Sequence, residues 1–333
     1  MQVEAFRAFR VHNEDKKIFG QVDEISLDDL TEGEVVIKAA YSDINYKDAL
    51  AATGAGKIMR RFPMVGGIDL SGYVHSSTDP RLKEGDRVVV VGGGLSEEFD
   101  GGYAEYARVP AETVVSLPDG ISLRESMALG TAGFTAALAV QRMEHNFQTP
   151  ELGPIAVNGA TGGVGSFAID MLAARGYQVT ALTGKRDGEA YLRGLGANDF
   201  LYRDELEMGE RPLERAIFGG AIDNVGSSQL AWFTRTVQPG GNIAAIGLAG
   251  GHDLTTTVLP FILRGVNLLG INSVTISLAQ RQAVWERIAG DLKPRHIDDI
   301  VTREVTLDEL SPVFDGYISG EVTGRTVVRI AGD

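Results

Sequence analysis

The chain has 333 residues, enough for two domains and a sizeable core. Its 45 acidic residues against 31 Lys and Arg give a net charge of −14, which argues against nucleic acid or an anionic membrane as the main partner. With no cysteine, no run of about 18 apolar residues and no basic-then-apolar leader, disulfides and thiolate chemistry are excluded and a cytoplasmic location is expected.

Residues 1–124 read as a β-rich domain. Short apolar stretches at 34–40, 69–74, 86–91 and 103–109 are punctuated by Gly and Pro, as in an irregular barrel. Over 125–274 the rhythm changes to strand, helix, strand, helix. An apolar strand from Ile155 runs into a glycine-rich turn, followed by a helix over 166–175 and a second strand at 177–182. Further strands are predicted at 221–225, 242–247 and 266–271. Alternation of this kind implies a doubly wound parallel sheet, so the fold class is α/β. The last stretch, 275–333, offers a helix over 278–292 and a closing strand at 324–330 that could return to the first domain.

The turn Gly159-Ala160-Thr161-Gly162-Gly163-Val164-Gly165 carries the first functional signal. It has the form A-x-G-x-x-G between strand and helix. Gly162 allows close approach of a pyrophosphate, Gly165 allows tight helix–strand packing, and the helix start offers free N–H groups to an anion. The end of the second strand bears on which dinucleotide binds. An NAD site places an acid about 20 residues past the first glycine to hold the ribose 2′-hydroxyl. Here Thr183-Gly184-Lys185-Arg186 has no acid until Asp187. A hydroxyl, a glycine and two cations suit a 2′-phosphate, so NADPH is expected. The same cations could also be ordinary solvated residues opening the next helix.

A β-rich domain, an inserted nucleotide domain and a returning tail resemble the medium-chain dehydrogenase/reductase superfamily, with a GroES-like catalytic domain and a Rossmann domain. The stretches Asn45-Tyr46-Lys47-Asp48-Ala49-Leu50, Phe62 to Asp69, Gly130-Thr131-Ala132-Gly133-Phe134-Thr135-Ala136, Gly247 to Gly251 and Leu259 to Val266 are similar to its quinone-oxidoreductase branch. Within that branch they most resemble the NADPH-dependent acryloyl-CoA reductases. The stretch Gly92 to Asp100 departs from that pattern, which bears on substrate scope.

Zinc enzymes of the superfamily need Cys, His or carboxylate ligands. This chain has no cysteine, and its histidines (12, 75, 145, 252 and 296) are scattered. The resemblance places Asn45 and Ile68 where zinc enzymes carry ligands, so no metal is expected. Without a metal, hydride addition to a conjugated C=C is easier than to a simple ketone, because the developing enolate needs only hydrogen-bond donors. Enoyl thioesters, enones and quinones all meet that condition.

By resemblance, Tyr46 is a catalytic acid or a cofactor contact, or else a packing tyrosine. Asp48 orients Tyr46 or Lys47, or caps the following helix. Asn45 is a candidate partner for the reacting carbonyl. Cofactor contacts are implied for Thr131, for Thr161, Gly162, Gly163 and Val164 at the pyrophosphate, and for Thr183, Gly184, Lys185 and Arg203 at the 2′-phosphate. Leu248 and Ser273 are implied at the nicotinamide end by backbone contacts, and Ile262 is implied as a further cofactor contact. Arg325 in Gly324-Arg325-Thr326 is a candidate for binding substrate phosphate or cofactor, or else a surface ion pair. Relatives pair the strand corresponding to 266–271 across a two-fold axis, so the resemblance implies a homodimer, with a tetramer as the alternative; an apolar edge strand otherwise invites aggregation. Three readings follow: reduction of a short enoyl-CoA such as acryloyl-CoA, reduction of quinones or enones, and a non-enzymatic NADPH-binding protein.

Overall fold

A computed structural model describes residues 3–332. The chain divides into two compact units. The first comprises residues 1–131, 273–289 and 297–333, and the second residues 132–272 and 290–296.

The first unit is built mainly on antiparallel strands, with one parallel pair, Val301–Val305 beside Arg325–Arg329. A hairpin, Phe6–Glu14 with Lys17–Ile25, turns through Asp15 and Lys16, both at positive φ, the geometry a two-residue hairpin loop requires. A seven-stranded sheet is centred on Val35–Ile44, which pairs with Asp69–Ser77, Tyr106–Val109 and Arg325–Arg329. The closing strand therefore returns beside a strand almost 300 residues earlier. Val35–Ile44 is buried at nine of its ten positions rather than alternating, because it is packed on both faces. Two apolar clusters fill the unit, one around Phe9, Tyr103 and Phe314, the other around Val35, Leu70, Val88 and Val109.

The second unit holds a six-stranded, wholly parallel sheet. Its order is Asp199–Tyr202, Val179–Thr183, Ile155–Asn158, Phe218–Asp223, Val237–Ala245, Asn267–Gly270. Numbered along the chain this is 3-2-1-4-5-6, the doubly wound order, with its switch point between Ile155–Asn158 and Phe218–Asp223. Ligands in such sheets bind beyond the carboxyl ends of the strands at that point. The helix Gly163–Ala174 starts there.

Candidate functional site

In the second unit, Gly159 takes φ +57° and Gly162 leads in extended conformation into the helix Gly163–Ala174. A Cβ on Gly165 would lie 2.4 Å from the Gly159 carbonyl oxygen, so close packing forces that glycine. A Cβ on Gly162 would meet only that oxygen, at 3.3 Å, leaving the turn's other side as bare backbone. Ala160 is wholly buried, which explains why the first glycine of the motif can be alanine here: its side chain joins the core. Thr161, Gly163 and Val164 complete the turn, whose free N–H groups and helix dipole suit a pyrophosphate.

The turn is braced from below. Asn158 donates to Asp223 (2.5 Å) and Gln229 (3.1 Å), while the Asn224 N–H donates to the Asn158 side-chain oxygen (2.6 Å). Burial raises the Asp223 carboxyl above its ordinary range, against hydrogen bonds from Asn158 and the Gly226 N–H. None of these residues stood out in the sequence.

At the end of Val179–Thr183, the Thr183 hydroxyl accepts the Lys185 N–H at 3.0 Å. The Arg203 guanidinium lies over Gly184, where a Cβ would come within 3.1 Å of it. Lys185 and Arg203 thus flank one glycine. Arg186 belongs elsewhere: it pairs with Asp204 (3.2 Å) and Glu205 (2.5 Å) and lies over the Tyr202 ring. Leu248 and Ile262 are 66% and 69% exposed, open apolar side chains of the same unit.

The first unit contains a different kind of site. Asn45 precedes the helix Tyr46–Thr53, and the Asp48 carboxylate accepts its N–H at 2.8 Å. The other Asp48 oxygen accepts the Ile68 N–H at 2.9 Å. Asp48 is therefore a helix cap and an anchor for the 68–69 segment. It makes no bond to Tyr46 or Lys47, so the expectation that it orients either of them is corrected; Lys47 pairs with Glu97 instead. Burial, reinforced by the Asp69 charge, raises the Asp48 carboxyl to about 7. Tyr46 stands half exposed at the first turn of that helix.

The Asn45 amide donates to Asp43 (2.7 Å) and Asp69 (2.8 Å), and its oxygen accepts from Arg325 at 3.2 Å. With both N–H groups committed and the residue buried, the expected role of Asn45 toward a reacting carbonyl is also corrected. Asp69 further accepts the Gly92 N–H (3.0 Å) and both the N–H and the hydroxyl of Thr131 (2.6 Å each). Thr131 follows Gly130, which breaks the helix Leu123–His145 with φ +50° and ψ −155°. A Cβ on Gly130 would lie 1.7 Å from an Asp43 carboxyl oxygen, so only glycine fits.

Arg325 is 3% exposed and lies 2.7 Å from Asp43 in a contact of charge on charge, while donating to the Ala128 and Ile44 carbonyls. It cannot meet a phosphate in solvent, so the expectation of substrate binding there is corrected. Asp43, Asp69 and Gly130 lay inside or beside the quoted motifs, yet only their meeting in space reveals a purpose. Ser273 lies at the start of the segment 273–289 of this unit, partly buried.

Two family models match the chain. Residues 31–119 match the alcohol dehydrogenase GroES-like domain, and residues 163–290 the zinc-binding dehydrogenase model. The chain is 45% identical to the acrylyl-CoA reductase AcuI of Ruegeria pomeroyi, over 95% of this chain and 96% of that protein. The chain belongs to the medium-chain dehydrogenase/reductase superfamily. Within it, the chain is quinone-oxidoreductase-like and acryloyl-CoA-reductase-like. The yhdH oxidoreductase of Salmonella enterica, solved in complex with NADP, is 45% identical, with a TM-score of 0.94 over 97% of this chain and 99% of that one. Bacillus subtilis yhfP, solved with NAD bound, is 45% identical, with a TM-score of 0.96 over 98% of this chain and the whole of its own.

The second family's description raises the matter of zinc, and the donor chemistry here does not fit it. There is no thiolate, and among the described residues no group of three or more His, Cys, Asp or Glu could hold a metal. His12 and His296 are each engaged with an aspartate, Asp23 and Asp170. No described helix is long and apolar enough to cross a membrane.

Proposed function

We propose that the protein is a zinc-independent reductase that transfers hydride from NADPH to the C=C bond of a short enoyl-CoA, with acryloyl-CoA giving propionyl-CoA. The observation that carries this reading is the pairing of a bare glycine turn at the switch point with Lys185 and Arg203 flanking Gly184, in a chain 45% identical over its length to an acrylyl-CoA reductase. NADPH fits the residues present. The Thr161–Val164 turn would take the pyrophosphate, and Thr183, Gly184, Lys185 and Arg203 the 2′-phosphate. Leu248 and Ile262 in the second unit, and Thr131 and Ser273 in the first, are each assigned as cofactor contacts.

When bound, NADPH supplies a hydride to the β-carbon, and the α-carbon then takes a proton. Tyr46, half exposed beside the cap, is assigned to give that proton or to hold the cofactor ribose. Asp48 and Asn45 fix the helix start on which Tyr46 sits. The second unit acts as the NADP-binding domain and the first as the catalytic domain.

The protein is further assigned to the cytoplasm as a homodimer. An edge strand, Asn267–Gly270, and the exposed Val258 and Leu263 in the same unit support that assembly. Sedimentation of the purified chain at twice the monomer mass is the expected result.

The deciding experiment is NADPH oxidation with acryloyl-CoA, crotonyl-CoA and a benzoquinone side by side. Turnover centred on acryloyl-CoA is expected, with deuterium from C4-labelled NADPH arriving at the β-carbon. Turnover with the quinone alone would favour the quinone-reductase reading, and silence with tight NADPH binding a non-enzymatic role.

A further inference from the structure

The strand Arg87–Val91 of the first unit runs into three successive glycines, all at positive φ: Gly92 at +63°, Gly93 at +64° and Gly94 at +88°. The turn closes with the Leu95 N–H donating to the Gly92 carbonyl at 3.2 Å. Two positive-φ residues at the centre of such a turn favour glycine, because side chains are strained there. The Gly92 N–H donates to the Ile68 carbonyl (2.9 Å) and to Asp69 (3.0 Å). The same Asp69 carboxylate holds Thr131 and Asn45, so the turn hangs on the anchor that fixes both. The next two N–H groups differ. Gly93 and Gly94 are half-buried, and among the described residues their N–H groups meet no acceptor. Consecutive free N–H groups in a turn make a concavity suited to a negatively charged oxygen.

The charges nearby favour the same ligand. Glu97, Glu98 and Asp100, which follow the turn, are each held by a cation, Lys47, Arg60 and Arg61 in that order. Arg281, 2% exposed, donates to the Val91 and Val274 carbonyls at 2.6 Å each. A Cβ on Gly93 would come within 3.8 Å of its guanidinium. Among the described residues Arg281 has no carboxylate at ion-pair distance, and Asp69 attracts it only from beyond that range. A guanidinium keeps its charge at any working pH. A fixed positive charge therefore stands beside the two free N–H groups.

Hydride arriving at the β-carbon of an enoyl thioester pushes the C=C pair into the bond between α-carbon and carbonyl carbon, and the C=O pair onto oxygen. A proton taken at the α-carbon, from Tyr46 or water, then restores the carbonyl and leaves the saturated thioester. Negative charge peaks on the enolate oxygen, where fixed donors lower the barrier. The side-chain donors that the motifs offered are spent. Asn45 gives its amide hydrogens to Asp43 and Asp69, the Thr131 hydroxyl donates to Asp69, Lys47 pairs with Glu97 and Arg325 with Asp43. We propose that the Gly93 and Gly94 N–H groups form the oxyanion hole, receiving the thioester carbonyl oxygen and the enolate oxygen it becomes. This assignment rests on the enoyl-thioester reading of the function.

The test uses the full chain labelled with 15N-glycine and carbonyl-13C-glycine, so that only glycines following a glycine report their amides. It is titrated to saturation with propionyl-CoA, the saturated product, and separately with free coenzyme A. Propionyl-CoA is expected to move the Gly93 and Gly94 amide protons downfield, and the stretch of its 13C-labelled carbonyl should fall below its frequency in water. Free coenzyme A carries the phosphates without the carbonyl and should leave both amides in place. Static amides with propionyl-CoA overturn the oxyanion hole. Equal shifts with free coenzyme A also overturn it, by making the turn a phosphate site. Acryloyl-CoA turnover, read on the same preparation, separates the two claims. Turnover with static amides removes this inference and leaves the reductase standing, and amides shifted by propionyl-CoA alone, without turnover, do the reverse. A chain that shows neither turnover nor shift loses both.

Discussion

The glycine turn of the second unit and the acid cluster of the first solve opposite problems. The turn leads into the helix Gly163–Ala174, whose first N–H groups have no intrahelical partner, while Lys185 is half-buried and Arg203 exposed beside Gly184. The cluster excludes water: its charges are paired or bridged internally, and Gly130 is hollowed out to make room for them. A solvated site tolerates loss of one member with little effect on folding. In a dry one, each member holds the others, and removing one strands a charge.

That contrast breaks first at Arg325. Arg325→Leu leaves Asp43 without its counter-charge, and denaturant unfolding should show a loss of about 3–5 kcal/mol; a loss under about 1 kcal/mol would mean the pair is not the staple described. Gly130→Ala comes next. It places a Cβ on an Asp43 oxygen at a positive φ, and a destabilisation of about 2–4 kcal/mol is expected by the same measurement.

Asp48 sharpens the comparison through pH. Its folded value near 7 lies above the ordinary 3.8, so its neutral form is favoured on folding. The stability it contributes is full below the unfolded value and is lost as pH rises through about 7. Wild type should therefore lose roughly 2 kcal/mol more than Asp48→Asn between pH 5 and pH 8. Parallel curves for the two proteins would refute it. The smallest effect belongs to the exposed site. Arg203→Ala should weaken NADPH binding roughly tenfold relative to NADH, leaving the unfolding midpoint unchanged. Equal losses for both cofactors would remove Arg203 from the 2′-phosphate.

The glycine turn and the cations at the end of the second strand were legible because they fall within one strand–helix–strand unit of about 30 residues, and the parallel sheet because such units repeat along the chain. Periodicity and glycine spacing act locally, and local backbone sterics decide them. The N-terminal hairpin, by contrast, turns on Asp15-Lys16 without glycine and gives little turn signal. Asn45, Asp48 and Arg325 were visible as polar residues, and the capping alternative for Asp48 was among the readings, yet which alternative held for each was decided only by its partners in space. Polar side chains in a motif read alike whether they face a ligand or each other.

What the sequence by itself determined is the α/β class, the dinucleotide turn and the lack of thiolate ligands. These are properties of short segments and of composition. Only the tertiary structure decided that residues 43, 48, 69, 281 and 325 share one buried space. Burial and charge balance depend on long-range contacts: Arg325 reaches Asp43 because the last strand pairs with Val35–Ile44. Once water is excluded there, electrostatic demand rather than sequence pattern fixes what each side chain can do.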